Sequence, residues 1–155
     1  MNDWRVRGAA LAAALVTTRM LIDLGVEASP DAGIVLRYTG LIAIVAIAVA
    51  WGFLDGQRDR RRNPDPDRGA DLTIVWLAAA AAAGVGAAVV AWLLGVLSPL
   101  DLGGNSLLFE LTSGAAWSML LVFASALAGS TAGARVAGTS QGARSPEVTV
   151  SAPSG

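Results

Sequence analysis

Four long apolar stretches constrain this chain more than any other feature of its sequence. The segments 38–54, 72–99 and 111–134 contain no Asp, Glu, Lys or Arg, and the segment 8–25 is interrupted only by Arg19 and Asp23. A bilayer core about 30 Å thick is crossed by about 20 helical residues. Ala-rich segments form helices and lack the alternation of barrel strands. The sequence therefore predicts an all-α, polytopic membrane protein with a bundle of four transmembrane helices.

The hydropathy pattern also predicts the domain organisation. One transmembrane domain covers 1–136, with a charged loop at 55–71, and its helices are expected at about 6–25, 34–54, 72–98 and 107–134. The tail 137–155 is rich in Gly, Ser, Thr and Pro, and we expect it to be disordered.

The first apolar stretch has two interpretations. Arg5 and Arg7 precede it and Val26-Glu27-Ala28 precedes Ser29, as in a cleaved secretory signal. Arg19 and Asp23 would lie awkwardly close to such a cleavage site, which favours a retained helix.

The positions of the basic residues predict the orientation of the bundle. All 11 basic residues are Arg, and most of them precede the first helix, lie in the loop 55–71 or follow the fourth helix. The positive-inside rule then places both termini and this loop in the cytoplasm. The many Ala, Gly and Val residues and the absence of Lys suggest a GC-rich bacterial source, and hence the bacterial plasma membrane.

Charged residues within or beside the apolar stretches are the first candidate site. The candidates for a substrate or ion pathway are Arg19, Asp23, Arg37 and Glu110. A charge within the membrane is costly and usually marks a pathway or a paired contact between helices. Arg19 and Asp23 are four residues apart, so they share a helix face and can pair. Two arginines and two acids also balance, so a set of salt bridges that pins the bundle remains an alternative.

The charged loop is the second candidate region. The residues predicted to form a cytoplasmic gate or to structure the loop are Asp55, Asn63, Asp65, Asp67, Arg68 and Asp71. If the second helix continues past the membrane, Asp55 can pair with Arg58 and Asp59 with Arg62. Asp65 is then expected to cap the third helix, which would begin before the bilayer.

Two further interpretations of this loop concern its ligands. The loop acids could hold magnesium, but capping explains them, and neither a metal nor a cofactor is predicted. Arg60, Arg61 and Arg62 could contact anionic lipid or could simply determine topology.

Small residues recur at intervals of four in the third and fourth helices. The rows are Ala80-Gly84-Ala88, Ala78-Ala82-Gly86, Ser125-Gly129-Gly133 and Gly114-Ser118. Such rows let helix backbones approach closely, either within one bundle or at a homo-oligomer interface. Four helices enclose little volume, so a solute pathway is expected to need an oligomer.

The tryptophans give a separate expectation. Trp4, Trp51, Trp76 and Trp92 lie near helix ends and fit interfacial anchoring, whereas Trp117 is deeper and is expected to serve packing.

The sequence argues against enzymatic chemistry. It contains no Cys and no His, so it offers no thiolate nucleophile, imidazole base or zinc–thiolate site. No phosphate-binding loop follows a strand pattern. We therefore expect no enzyme and no nucleic-acid partner. The expected partners are the lipid bilayer and further copies of this chain, and a membrane complex is the alternative.

Several short segments resemble a known family. They are Trp51-Gly52-Phe53-Leu54-Asp55-Gly56, Asn63-Pro64-Asp65-Pro66-Asp67-Arg68, Ala70-Asp71-Leu72, Glu110-Leu111-Thr112 and Leu121-Val122-Phe123. Over roughly Arg5 to Arg135 the chain resembles small actinobacterial membrane proteins described as four-helix drug/metabolite-transporter-like. The resemblance implies a four-helix fold in the plasma membrane and a transporter role. The alternative is a non-catalytic structural or accessory subunit of a cell-envelope membrane complex.

Overall fold

The computed structural model describes residues 3–63, 71–97 and 107–142, and these ranges form four long helices. The first three helices are α1 (Asp3–Ala28), α2 (Gly33–Arg62) and α3 (Leu72–Leu97). The fourth helix, α4, has three parts: an α-helical turn (Leu107–Phe109), a π-helical segment (Glu110–Gly114) and a long α-helix (Ala115–Gly142). A short 3-10 helix, Pro30–Ala32, joins α1 to α2. These ranges contain no strand, and each helix is long and apolar enough to span a membrane. The predicted fold class is confirmed.

Two helices extend well beyond their predicted ends. At 1.5 Å per residue, the 30 residues of α2 span about 45 Å, so its arginine-rich last turns project past a hydrocarbon core of about 30 Å. Helix α4 continues to Gly142, so the prediction of disorder is wrong for 137–142, while 143–155 lies outside the described residues. The reason is packing, because Ala137 is buried and Gly138 lies beside Arg60 of α2.

The start of α3 differs from the expected cap. Asp71 Oδ1 accepts hydrogen bonds from the backbone N–H groups of Thr73 (3.1 Å) and Ile74 (3.3 Å). This carboxylate satisfies two of the donors that a helix N-terminus leaves free, and α3 begins at Leu72. The expectation that α3 begins before Leu72 is therefore wrong, whereas the predicted cap at Asp65 is not tested. Asp65, Asp67 and Arg68 themselves lie outside the described residues.

The two most extensive helix interfaces join helices that run in the same direction. Along α1 and α3, Gly8 lies against Ala82 and Gly86 against Ala12. Along α2 and α4, the facing pairs are Gly52 with Ala126, Gly56 with Ser130, and Phe53 with Gly133. Helices α1 and α2 form an antiparallel pair, as do α3 and α4, so the order around the bundle is α1, α2, α4, α3. Asp3, Arg62, Leu72 and Gly142 consequently lie at one end, which we call the basic end.

The distribution of residue sizes is that of a lipid-embedded protein. The buried core is built largely from alanine, with a few larger side chains, namely Leu11, Ile44, Trp76 and Val122. The larger apolar side chains lie mostly on the outside, among them Ile34, Val35, Ile42, Ile74, Val96, Leu108 and Leu120. A soluble domain rarely exposes so large an apolar surface. Lipid tails solvate such a surface without cost, whereas small residues allow close helix contact.

The small-residue rows are used within this bundle. A Cβ atom at Gly52, Gly56, Gly129 or Gly133 would overlap the backbone carbonyl of the facing helix, so α2 and α4 are in backbone contact along this stretch. Gly84 of α3 similarly lies against the Ala115 carbonyl, at 2.6 Å from its Cβ position. Packing within one chain therefore accounts for these positions. An oligomer remains a prediction, and it would need a different surface.

Candidate functional site

A partly open cavity of about 390 Å³ lies in the half of the bundle opposite the basic end. All four helices line it, α1 within 15–23, α2 within 37–44, α3 within 84–94 and α4 within 114–121. Its charged lining residues are Arg19, Asp23 and Arg37. The cavity thus lies within all four apolar spans and carries charge there.

Three of the four predicted pathway residues meet at this cavity. Arg19 and Asp23 are half-buried and lie one turn apart on α1, whereas Arg37 is exposed on α2. Helices α1 and α2 contact each other on both sides of this level, where Gly25 meets Leu36 and Gly40 meets Thr18 and Ile22. Arg37 therefore lies at the level of the Arg19–Asp23 turn. The fourth residue, Glu110, belongs to the π-helical segment of α4, and its side chain lies outside the described part of the structure.

The remaining cavity lining is mainly apolar. Leu15, Ile22, Leu41, Ile44 and Leu121 contribute aliphatic surface, and Thr18 and Ser118 contribute hydroxyl groups. Trp117 also lines the cavity and is 64% exposed, so its predicted packing role is wrong.

The π-helical segment immediately precedes this part of α4. It ends at Gly114, which lines the cavity, and the Thr112 hydroxyl donates to the Leu108 carbonyl at 2.7 Å. Such segments are rare and frequently occur at functional sites, so this location agrees with a functional cavity.

A second charged cluster lies at the basic end and joins three helices. Arg7 Nη2 of α1 lies 3.1 Å from Asp55 Oδ2 of α2, with the two side chains only 14% and 6% exposed. Arg58 Nη1 lies 4.0 Å from Asp55 Oδ1, which confirms the predicted pairing, but the Arg58 side chain is 64% exposed. Ion pairs with such exposure contribute little stability. The Arg7–Asp55 pair is therefore the stronger of these two contacts.

Trp76 of α3 completes this cluster. The Arg7 guanidinium lies 5.5 Å from the Trp76 ring centroid, and Trp51 meets the same ring edge-on at 6.4 Å and 86°. Trp76 is fully buried, so its expected role as an interfacial anchor is wrong. Its Nε1 is also buried and has no hydrogen-bond acceptor among the described residues. Because Trp76 shares a buried helical face with Ala79, Ala80 and Ala83, the spacing of small residues on α3 could have revealed this position.

The other predicted loop residues that the structure describes lie at the end of α2 or immediately after it. Asn63 ends α2, with its Nδ2 donating to Asp59 Oδ1 at 3.1 Å and its backbone N–H to the Asp59 carbonyl at 2.8 Å. Arg61 and Arg62 are exposed in the last turn of α2, and Arg60 is half-buried. Across 3–63, 71–97 and 107–142, no three acidic residues cluster as a metal site would require.

No protein-family model matches this chain, and no curated protein shows significant similarity to it.

Proposed function

We propose that this chain is a small transporter of the four-helix drug/metabolite type, located in a bacterial plasma membrane, with the cavity as its solute site. The observation that supports the proposal is that three charged side chains line one cavity formed by all four apolar helices. Charged groups are expensive in a membrane interior, and those that face a cavity usually serve a solute or ion path.

The contrast between the two ends supports a mechanism of alternating access. Among the residues that the structure describes, none at the basic end lines the cavity, and there the α2–α4 backbone contact and the Arg7–Asp55 pair hold the helices together. Transport would require this end to open while the cavity end closes. In this mechanism Asp55 is the gate residue, and the positive-inside rule predicts that the gate faces the cytoplasm.

Untargeted solute release tests the proposal even though the substrate is unidentified. Proteoliposomes containing the full chain are loaded with a small-molecule extract of the native cell, and the released compounds are identified by mass spectrometry. We expect a restricted set of compounds to leave wild-type vesicles. Asp23→Asn should abolish this release, because it removes the negative charge of the cavity.

The matched control is Arg61→Gln, which removes one exposed charge at the basic end and leaves the cavity unchanged. Size-exclusion chromatography establishes that each variant is folded. Release from wild-type vesicles that equals release from protein-free vesicles would reject transport, and unchanged release by Asp23→Asn would reject the cavity as the path.

The exposed arginines of the basic end favour a second candidate function. Arg58, Arg61 and Arg62 project from the end of α2, where they are available to a partner protein or to anionic lipid headgroups. In an accessory subunit of an envelope complex, this surface would be the docking site. Affinity purification from native membranes separates the two functions, since a stoichiometric large partner favours the accessory role and a solitary homo-oligomer favours transport.

A further inference from the structure

We infer that the cavity binds a small organic anion that has an apolar body, such as a carboxylate attached to an aromatic or aliphatic group. This inference rests on the proposed function and specifies its class of solute. It follows from the sign of the charges that line the cavity and from the chemistry of the surrounding wall.

The charges of the described lining are unequal. Two guanidinium groups, Arg19 and Arg37, accompany one carboxylate, Asp23. Arg19 and Asp23 lie one turn apart on α1 and their opposite charges cancel in this count, so the described lining residues carry one positive charge in excess. A bound anion would balance this charge where the apolar surroundings make an uncompensated ion costly.

The identity of the cations strengthens the argument for a carboxylate. A guanidinium presents its donors in a planar fork that matches the two oxygens of a carboxylate. Arg37 is exposed at the cavity and lies at the level of the Arg19–Asp23 turn, so a solute headgroup can reach it.

Helix dipoles do not change the sign of this site. Helices α2 and α4 begin in this half of the bundle, whereas α1 and α3 end there. A helix N-terminus carries about half a positive elementary charge and a C-terminus the same negative charge, so the four contributions largely cancel. Side-chain charges therefore determine which ions the cavity attracts.

The apolar lining determines the uncharged part of the solute. Aliphatic side chains and the Trp117 ring form most of the lining, and Thr18 and Ser118 supply the uncharged hydroxyl groups. Binding pockets for small molecules have volumes of roughly 300–1,000 Å³, so this cavity of about 390 Å³ is near the lower limit. A compact molecule with one apolar group and one anionic group fits both features.

Three probes that share an aromatic group and differ in charge test the inference. They are phenylacetate, phenylethanol and phenethylamine, titrated by calorimetry into the full chain in phosphatidylcholine nanodiscs, where no anionic lipid competes. We expect phenylacetate to bind at least about tenfold more tightly than the other two, the effect of one charge-assisted hydrogen bond. Equal affinities, a preference for phenethylamine, or no binding of any probe would overturn the inference.

Paired variants locate the preference. Arg37→Gln should reduce phenylacetate affinity at least about tenfold, whereas Arg61→Gln, the same change at the basic end, should leave it unchanged. Equal affinities of the Arg37→Gln and Arg61→Gln variants would contradict the assignment.

Failure of this inference and failure of transport give different results. If phenylacetate is preferred but no compound leaves the loaded proteoliposomes, the cavity binds anions and transport is rejected. If organic cations leave the vesicles and phenylacetate is not preferred, transport stands and the anionic class is rejected.

Discussion

The two halves of the bundle are built from the same four helices but are packed in opposite ways. At the basic end, glycines on both α2 and α4 bring the backbones together, and Arg7, Asp55 and Trp76 join three helices. In the other half, large side chains such as Ile44 and Leu121 line a cavity together with small residues such as Gly40 and Gly84. The backbone contact between α2 and α4 therefore distinguishes the closed half from the half that holds the cavity.

The strongest test of this comparison is a single methyl group at the α2–α4 contact. Gly133→Ala should destabilise the bundle by at least about 3 kcal/mol, because its Cβ would overlap the Phe53 carbonyl and a backbone cannot move aside cheaply. Unfolding in mixed micelles measures the change. Gly138→Ala is the matched control, since the nearest atom, Arg60 Nε, lies 3.6 Å from its Cβ position and the variant gains helix propensity. Equal stabilities of the two variants would contradict backbone contact.

The next largest effect concerns the ion pair of the basic end. Asp55→Ala should cost about 3 kcal/mol, because it leaves the half-buried Arg7 guanidinium without its carboxylate. Arg58→Gln should change stability by less than about 1 kcal/mol, because its contact with Asp55 is exposed. A double-mutant cycle between Arg7 and Asp55 measures their coupling. A coupling near zero would show that this pair does not hold the end closed.

A smaller effect is expected for a glycine of the cavity half. A Cβ at Gly40 would meet the Ile22 Cδ1 and Thr18 Cγ2 atoms, at 2.6 and 2.8 Å, and these are the ends of side chains that can shift. Gly40→Ala should therefore cost only about 1 kcal/mol. The same micelle assay compares it with Gly133→Ala. A cost as large as that of Gly133→Ala would mean that both halves are equally rigid.

The smallest effect is expected at the cavity wall itself. Ser118→Ala removes a half-buried hydroxyl that lines the open space and should alter stability by less than about 0.5 kcal/mol. Thermal unfolding in detergent is sufficient to measure it. A larger loss would indicate that this hydroxyl contributes to packing, and the boundary between the two halves would then lie further from the basic end.

The sequence predicts the local features of this fold well. Long apolar stretches determine the four helices, and the three-residue spacing of Asp55 and Arg58 predicts their contact, which the structure confirms. The extension of α4 to Gly142 was not predicted, because Gly, Ser and Thr resemble a disordered tail until the burial of Ala137 and the contact of Gly138 with Arg60 of α2 are known.

Long-range features were less predictable, for a reason specific to membranes. In water, a polar face marks the outside of a helix, but lipid removes this contrast and leaves residue size as the indicator of the buried face. Three features depend on how the helices are arranged around the bundle: the burial of Trp76, the exposure of Trp117 and the pairing of Arg7 with Asp55. The sequence identified each charged residue of the cavity as a candidate. Their location around one cavity could be recognised only from the three-dimensional order of the helices.

The parallel packing of α2 and α4 has a consequence for biosynthesis. The glycine face of α2 enters the membrane when the ribosome has not yet produced α4, so its partner surface does not exist at that stage. The contact between them closes a loop that contains all of α3, which makes it a late, non-local step. Until translation ends, α2 must therefore be accommodated by lipid or by the insertion machinery, and quality control of the nascent protein would act during this interval.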